Sequence, residues 1–150
     1  MKNKPNLPNL DLGFLTEKKV EFVLLEHGFS IFNPLDEGGT VDLLSYKNSN
    51  FARLQIKTGT YEKPNDRFKI SLQRTRHQTY DYNEFDFFIS YLYEVDVFYV
   101  IPVSILKDQK VINVYPHRKK AFKSKNEIDY EKFRNNFQLL IEKKILRNLQ

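Results

Sequence analysis

Residues 41–58 have the sequence VDLLSYKNSNFARLQIKT. Two segments in which apolar and polar residues alternate flank a short polar segment. Residues Thr40–Tyr46 and Phe51–Thr58 are rich in β-branched, aromatic and leucine side chains, which favours strands. The intervening residues 47–50, KNSN, are typical of a hairpin turn. We therefore predict a β-hairpin here and interpret the rest of the chain around it.

Alternation along this hairpin separates an apolar face from a polar one, because successive side chains of a strand point to opposite faces. On the returning strand, the predicted core face carries Ala52, Leu54 and Ile56. The opposite face carries Arg53, Gln55 and Lys57. Asp42 occupies the polar face of the first strand, so we expect it to lie near Gln55 and Lys57.

A carboxylate, an amide and a lysine on neighbouring strands suit metal-assisted hydrolysis of a phosphodiester. Asp42 can bind Mg²⁺, a hard cation that takes oxygen ligands, and the carbonyl oxygens of the Gln55 side chain and the Ile56 main chain can add ligands. The ion polarises the phosphate and generates a nucleophilic hydroxide, while Lys57 stabilises the growing negative charge. The alternative is an amphipathic hairpin whose polar face is merely solvated.

The remaining segments predict an α/β fold, with a mixed central sheet and flanking helices. A helix should run from a cap at Asp11 to about His27 and end at Gly28, and a second helix should begin at Ile128. The second helix should carry one apolar stripe, formed by Phe133, Phe137, Leu140, Ile141 and Ile145. A short helix is expected over Pro102–Leu106. Further strands are predicted at Phe29–Phe32, Arg67–Leu72, Phe85–Leu92, Val97–Ile101 and Val111–Tyr115. The length of 150 residues predicts a single domain over residues 1–150.

Composition narrows the class of partner. The formal net charge is +5 and the sequence pI is about 9.3, which favours a nucleic acid. The absence of cysteine excludes disulfides and thiolate zinc sites. No apolar run approaches the ~20 residues of a membrane span, and the polar start of the chain is unlike a signal peptide. We expect a soluble, cytoplasmic protein.

Two basic segments are candidates for DNA contact, because cationic side chains neutralise phosphates and position a protein on the duplex. The first segment, with Tyr61 and Tyr80 interleaved, contributes Lys63, Arg67, Lys69, Arg74 and Arg76. The second contributes Arg118, Lys119, Lys120 and Lys123. The candidates for reading base edges are Gln73, Arg74, Arg76 and Gln78. The alternative for each segment is a solvated basic loop.

The ordered residues from Gly13 to Thr58 resemble the PD-(D/E)xK nuclease superfamily, above all its Holliday-junction resolvase branch. That branch has a helix glutamate, an aspartate in a VDL context and an acidic-x-Lys motif on the next strand. The resemblance implies a restriction-endonuclease-like core in which Asp42 binds metal and Lys57 assists the nucleophile. It assigns the helix carboxylate to Glu17, which would reach the metal directly or through water.

Three positions leave alternatives within this resemblance. Glu21 lies one helical turn beyond Glu17, and Asp36 in the segment PLD is a second candidate for the motif aspartate. Gln55 stands where the family usually has Asp or Glu, although some members use Gln. A neutral amide attracts a cation less strongly, so a higher metal concentration is predicted, with Mg²⁺ as the cofactor and Mn²⁺ as a substitute.

Downstream, residues 80–88 (YDYNEFDFF) and 98–103 (FYVIPV) resemble the homing endonucleases of this superfamily that are encoded in cyanobacterial group I introns. This resemblance implies site-specific double-strand cleavage of double-stranded DNA. One catalytic hairpin per chain calls for a homo-oligomer, a dimer or a tetramer, to cut both strands. The alternatives are a Holliday-junction resolvase, a restriction-type endonuclease, a catalytically silent DNA-binding module and a scaffold protein without a nucleic-acid role.

Overall fold

The computed structural model describes residues 1–36, 38–118 and 128–142. Its single α-helix within these ranges, α1, spans Asn9–Glu26 and buries one stripe of side chains: Leu12, Thr16, Val20 and Leu24. The helix begins after Pro8, so Asp11 lies in its first turn and is not the predicted cap. It ends at Glu26, and Gly28 follows two residues later with a positive φ of 77°, which suits glycine. There the Phe29 amide donates to the Leu24 carbonyl at 3.0 Å.

Ten strands lie within the described ranges, and they form three sheets. They are β1 Ser30–Phe32, β2 Leu43–Lys47, β3 Asn50–Thr58, β4 Thr60–Glu62, β5 Arg67–Ser71, β6 Gln73–Thr75, β7 Gln78–Thr79, β8 Phe87–Leu92, β9 Val97–Pro102 and β10 Val111–Val114. Strands β10, β5 and β4 form a small antiparallel sheet, and β6 pairs with β7 in a separate hairpin.

The central sheet has the strand order β1–β2–β3–β8–β9. Strands β3 and β8 are parallel, whereas every other neighbouring pair in this sheet is antiparallel. The predicted mixed α/β architecture is therefore confirmed, with the predicted hairpin at its centre. Strand β2 begins at Leu43 and not at Thr40, but the Asp42 amide still donates to the Leu54 carbonyl at 2.9 Å.

Both faces of the central sheet are covered, which explains the continuous apolar runs of β8 and β9. On one face, α1 packs against side chains that include Leu54, Ile56, Phe87 and Ile89. On the other, a second core joins the small sheet to Phe88 and Leu92. Strand β3 therefore lies between two packed layers, and its carboxyl-terminal half carries Gln55 and Lys57.

The C-terminal segment differs from the predicted helix. Residues Tyr130–Phe133 and Phe137–Leu140 are two short 3-10 helices, separated by Asn135 at a φ of 48°. The Asn135 amide donates to the Phe98 carbonyl at 2.7 Å, and its Oδ1 accepts from the Phe98 amide at 2.8 Å. These bonds to the edge strand β9 outweigh helical propensity, because they satisfy main-chain groups that the edge leaves unpaired.

The break divides the predicted apolar stripe between the two cores. Phe133 packs into the core beside the small sheet, while Phe137 and Leu140 join the core beneath α1. A continuous helix would have kept all three on one side. Ile145, the last residue of the predicted stripe, lies outside the described residues. The predicted short helix after β9 is present as a single 3-10 turn over Val103–Ile105.

Within residues 1–36, 38–118 and 128–142, no helix combines the length and the apolar character that crossing a membrane requires.

Candidate active site

Asp42 is held against the main chain of the neighbouring strand. It stands immediately before β2 and opposite Gln55, because Leu43 pairs with Leu54 in the antiparallel register. Its Oδ2 accepts a hydrogen bond from the Ile56 amide at 2.6 Å and another from the Gln55 side-chain amide. The hairpin register therefore places this carboxylate without any contribution from a flexible loop.

Gln55 is only 6% exposed, which decides against a merely solvated polar face. A buried amide must find hydrogen-bonding partners, and Gln55 finds them in Asp42 and, at 3.4 Å, in the carbonyl oxygen of Ile56. Hydrogen bonds therefore join the Asp42 carboxylate, the Gln55 side chain and the Ile56 main chain. Binding of a cation by the Gln55 carbonyl oxygen requires the amide to rotate by half a turn.

The electrostatic environment of Asp42 opposes its ionisation. Burial raises the pKa of Asp42 from its ordinary 3.8 to about 6, and the nearby Glu17 carboxylate adds to this rise. The Ile56 amide, Lys57 and Gln55 act in the opposite direction but do not restore the ordinary value. The carboxylate thus lies where a positive ion would stabilise its charged form.

Glu17 reaches the site because the preceding residue anchors helix α1 to the end of β3. The buried Thr16 hydroxyl lies 2.6 Å from the Thr58 hydroxyl and 3.3 Å from that of Tyr93. Burial raises the pKa of Glu17, and the neighbouring Lys18 offsets part of the rise. Glu21, the alternative helix carboxylate, instead forms an ion pair with Lys18 at 2.7 Å.

Lys57 lies on the same strand as Gln55, and its side chain contacts residues at the two ends of the β6–β7 hairpin. Its Nζ donates to the Tyr80 hydroxyl at 2.6 Å and to the Gln73 carbonyl at 3.1 Å. Burial lowers the pKa of Lys57, although the negative charge of Asp42 raises it in part. The ammonium is thus held at a half-buried position within the electric field of Asp42.

Tyr80 belongs to this site, yet sequence reasoning treated it only as an aromatic residue within a basic segment. Burial raises the pKa of Tyr80 to about 12; the charge of Asp42 contributes to the rise and Arg74 opposes it. Its hydroxyl is therefore neutral near pH 7. The alternation that placed Gln55 and Lys57 together gives no signal for a residue 23 positions further along the chain.

The donor set fits a hard divalent cation. It comprises the carboxylates of Asp42 and Glu17, the side-chain carbonyl of Gln55 and the main-chain carbonyl of Ile56, all of them oxygen ligands. Each of the two carboxylates has a raised pKa, and a cation would relieve that cost. No group of three or more His, Cys, Asp or Glu side chains that could hold a metal occurs in the described ranges.

Asp36 occupies a different position from Asp42. It lies in an exposed turn and lines a cavity of about 390 Å³ together with Gly39, Arg74 and Glu84. The structure brings Asp42, and not Asp36, into contact with Gln55 and Ile56.

The predicted DNA-contact residues fall into four groups. Arg67 and Lys69 both pair with Glu62, the latter at 2.6 Å, so part of their charge is already compensated. Exposed side chains on or near the β6–β7 hairpin and at residue 63 are Lys63, Arg74, Arg76 and Gln78, with Gln73 half-buried. Arg118 is exposed and lies 4.0 Å from the ring centroid of Tyr115. The remaining predictions, Lys119, Lys120 and Lys123, lie outside the described residues.

Comparison with solved structures finds a chain similar to this one over nearly its full length. A bacterial homing endonuclease, I-Ssp6803I, matches with a TM-score of 0.75 and 20% sequence identity, over 96% of this chain and 100% of that chain. At that identity the likeness concerns the fold. A search of curated proteins finds no match.

The family comparison concerns the sequence directly. A family model described as PD-(D/E)XK endonuclease matches residues 9–136, which include α1, the β2–β3 hairpin and the central sheet. The match extends well beyond the short motif and covers most of the chain. Proteins of this family generally use divalent metal ions, in agreement with the oxygen donors around Asp42. This chain belongs to the PD-(D/E)XK endonuclease family.

Proposed function

We propose that the protein is a metal-dependent homing endonuclease that makes a site-specific double-strand break in DNA. The observation that carries the proposal is the convergence of four side chains at the end of β3. Asp42 contacts Gln55 directly, and the charges of Glu17 and Lys57 both act on Asp42. Two acidic groups, a lysine and an amide at the position where the family usually has Asp or Glu can together hold a divalent cation and stabilise negative charge during phosphodiester hydrolysis.

Each residue has a separate role in the proposed site. Asp42 and Glu17 would hold the cation with the carbonyl oxygens of Gln55 and Ile56, and Mg²⁺ is the proposed ion, with Mn²⁺ as a substitute. When bound, such an ion supplies Lewis-acid polarisation of the phosphate and lowers the pKa of a bound water. Lys57 donates hydrogen bonds toward the attacking oxygen and stabilises negative charge as it develops on the phosphate.

Three features support the homing assignment. The solved structure with the same fold is described as a homing endonuclease. The net charge of +5 suits a polyanionic substrate, and the exposed Arg76 and Gln78 can reach base edges from the β6–β7 hairpin.

One catalytic site per chain supports a dimer or a tetramer acting on two strands. The absence of cysteine suits a cytoplasmic protein.

The test is cleavage of three substrates with Mg²⁺ and with EDTA: genomic DNA, supercoiled plasmid and a synthetic four-way junction. Cutting at one or a few genomic sites, lost in EDTA, is the expected result. Cutting of junctions whatever their sequence would replace the proposal with a resolvase, and cutting at many short palindromes with a restriction-type enzyme. Salt-dependent DNA binding without cleavage on any substrate would leave a binding module.

Gln55→Glu should lower the Mg²⁺ concentration for half-maximal cleavage by about tenfold, because a third carboxylate attracts the cation more strongly. The same change should destabilise the metal-free protein. It replaces the hydrogen bond from Gln55 to Asp42 with repulsion between two buried carboxylates. Metal titrations of cleavage and of binding by calorimetry measure the first effect, and thermal unfolding in EDTA measures the second. An unchanged or increased metal requirement would contradict a ligand role for residue 55.

A further inference from the structure

Lys57 has two partners in the described part of the chain, and they flank the same hairpin. Gln73 is the first residue of β6, and Tyr80 follows directly after β7. The Lys57 ammonium donates to the carbonyl oxygen of the first and to the hydroxyl of the second. The ammonium therefore bridges the base of the hairpin that carries the exposed Arg76 and Gln78.

Tyr80 is well fixed by its packing. Its ring meets the rings of the buried Phe85 and Phe88 edge-on, with centroids 5.5 Å and 5.7 Å away. Edge-to-face pairs of this kind restrain a ring. The Lys57 ammonium meets the Tyr80 hydroxyl and also lies 4.6 Å from the centroid of the Tyr80 ring. The short distance of 2.6 Å to Lys57 Nζ is that of a charge-assisted hydrogen bond.

We propose that Tyr80 is a positioning residue, whose hydroxyl holds the Lys57 ammonium in the place from which it serves the cleaved phosphate. This inference rests on the proposed function of Lys57 and adds a residue outside the family motif. A lysine side chain has four rotatable bonds, so an unrestrained ammonium would sample many positions. The Tyr80 hydroxyl and the Gln73 carbonyl together restrict it to one, and they link its position to the base of the hairpin.

Tyr80→Phe tests the proposal by removing the hydroxyl alone. The chain offers a matched control in Tyr82, whose ring packs edge-on against the same two phenylalanines at 5.9 Å and 6.1 Å. In single-turnover cleavage at saturating enzyme, Tyr80→Phe should slow the reaction about 10–100-fold, the range expected when a catalytic group is misplaced by an ångström. Tyr82→Phe should match the wild type. Both variants should keep a dissociation constant for DNA in EDTA within about twofold of the wild-type value, because phosphate contacts away from Lys57 dominate binding.

A second measurement reports on Lys57 without any cleavage. In ¹⁵N-lysine-labelled, metal-free protein, the Lys57 ammonium is identified as the signal missing from Lys57→Ala. Its hydrogen exchange should be slow in the wild type and in Tyr82→Phe, and about fivefold faster in Tyr80→Phe, in line with the loss of one hydrogen bond.

The outcomes separate this inference from the proposed function. If Lys57→Ala abolishes cleavage while Tyr80→Phe cleaves and exchanges like the wild type, the positioning role is wrong and the active site stands. If Lys57→Ala cleaves normally, the proposed active site and the positioning role both fail. If no variant cleaves any DNA, the exchange rate decides alone: unchanged exchange in Tyr80→Phe overturns the contact. Equal losses in Tyr80→Phe and Tyr82→Phe would show a packing effect and also overturn it.

Discussion

Lys57→Ala is expected to reduce single-turnover cleavage by about 10²–10³-fold or more, the loss that follows removal of a charge-stabilising donor. The ammonium is half-buried and within the field of Asp42, so its charge acts through little intervening solvent. DNA affinity in EDTA should change little, because one phosphate contact among many is removed at most. Fluorescence anisotropy measures the affinity, and quenched time courses measure the rate.

Lys107→Ala is the control for this variant, since it removes the same charge from an exposed lysine outside the site. It should bind and cleave like the wild type. Comparable losses in both variants would mean that net charge, rather than the position of Lys57, controls the reaction. Wild-type cleavage by Lys57→Ala would remove Lys57 from the mechanism, and the family assignment would then need a different catalytic lysine.

Asp42→Asn is expected to abolish cleavage and, at the same time, to stabilise the metal-free protein. The pKa of Asp42 rises from its ordinary 3.8 to about 6 on folding. One pKa unit corresponds to about 1.4 kcal/mol, so ionised Asp42 costs up to about 3 kcal/mol of folding free energy at pH 7. Asparagine keeps an oxygen that accepts from the Ile56 amide but carries no charge. A gain of about 1–3 kcal/mol is therefore expected.

The pH dependence of this gain has a definite sign. Between pH 3.8 and 6 the folded wild type binds more protons at Asp42 than the unfolded chain, so its stability falls as the pH rises through this window. Below pH 3.8 the carboxyl is protonated in both states and the cost disappears. Urea unfolding of wild type and Asp42→Asn in EDTA, from pH 4 to pH 7.5, should show curves that diverge as the pH increases.

Asp36→Asn provides the comparison, because it makes the same substitution in the exposed turn that the motif alone left as an alternative. We expect it to cleave like the wild type and to leave the free energy of unfolding unchanged. Loss of cleavage in Asp36→Asn with activity retained in Asp42→Asn would exchange the two assignments. A variant Asp42→Asn that is less stable than the wild type across the whole pH range would contradict the electrostatic cost at Asp42.

The β2–β3 hairpin that carries the candidate site was predictable because the pattern that specifies it is local. Alternation over residues 51–57 assigns Gln55 and Lys57 to one face, and the antiparallel partner brings Asp42 to the same place. The long apolar runs at β8 and β9 likewise indicated buried strands, and both are buried throughout. Periodicity and turn chemistry operate over a few residues, so they survive in the sequence without knowledge of the fold.

The C-terminal segment shows where local information fails. Its apolar spacing suits a helix, yet Asn135 adopts a positive φ and bonds to Phe98 on the edge strand. That contact joins residues 37 positions apart. Helical propensity amounts to a few tenths of a kcal/mol per residue. The two hydrogen bonds from Asn135 to the main chain of Phe98, one through its amide and one through its side-chain oxygen, outweigh it together with the buried phenylalanines on each side. Nothing in the spacing of the apolar residues reports on the edge that they will meet.

The sequence by itself determined the mixed α/β class, the polar face that joins Asp42, Gln55 and Lys57, and the family to which the chain belongs. Only the tertiary structure decided that Gln55 is buried, that Thr16 secures the helix beside the site, and that Tyr80 holds the lysine. The physical reason is the range of the interactions. Strand alternation follows from the geometry of neighbouring residues, whereas burial, pKa changes and the contacts of an ammonium depend on groups that only the folded chain brings together.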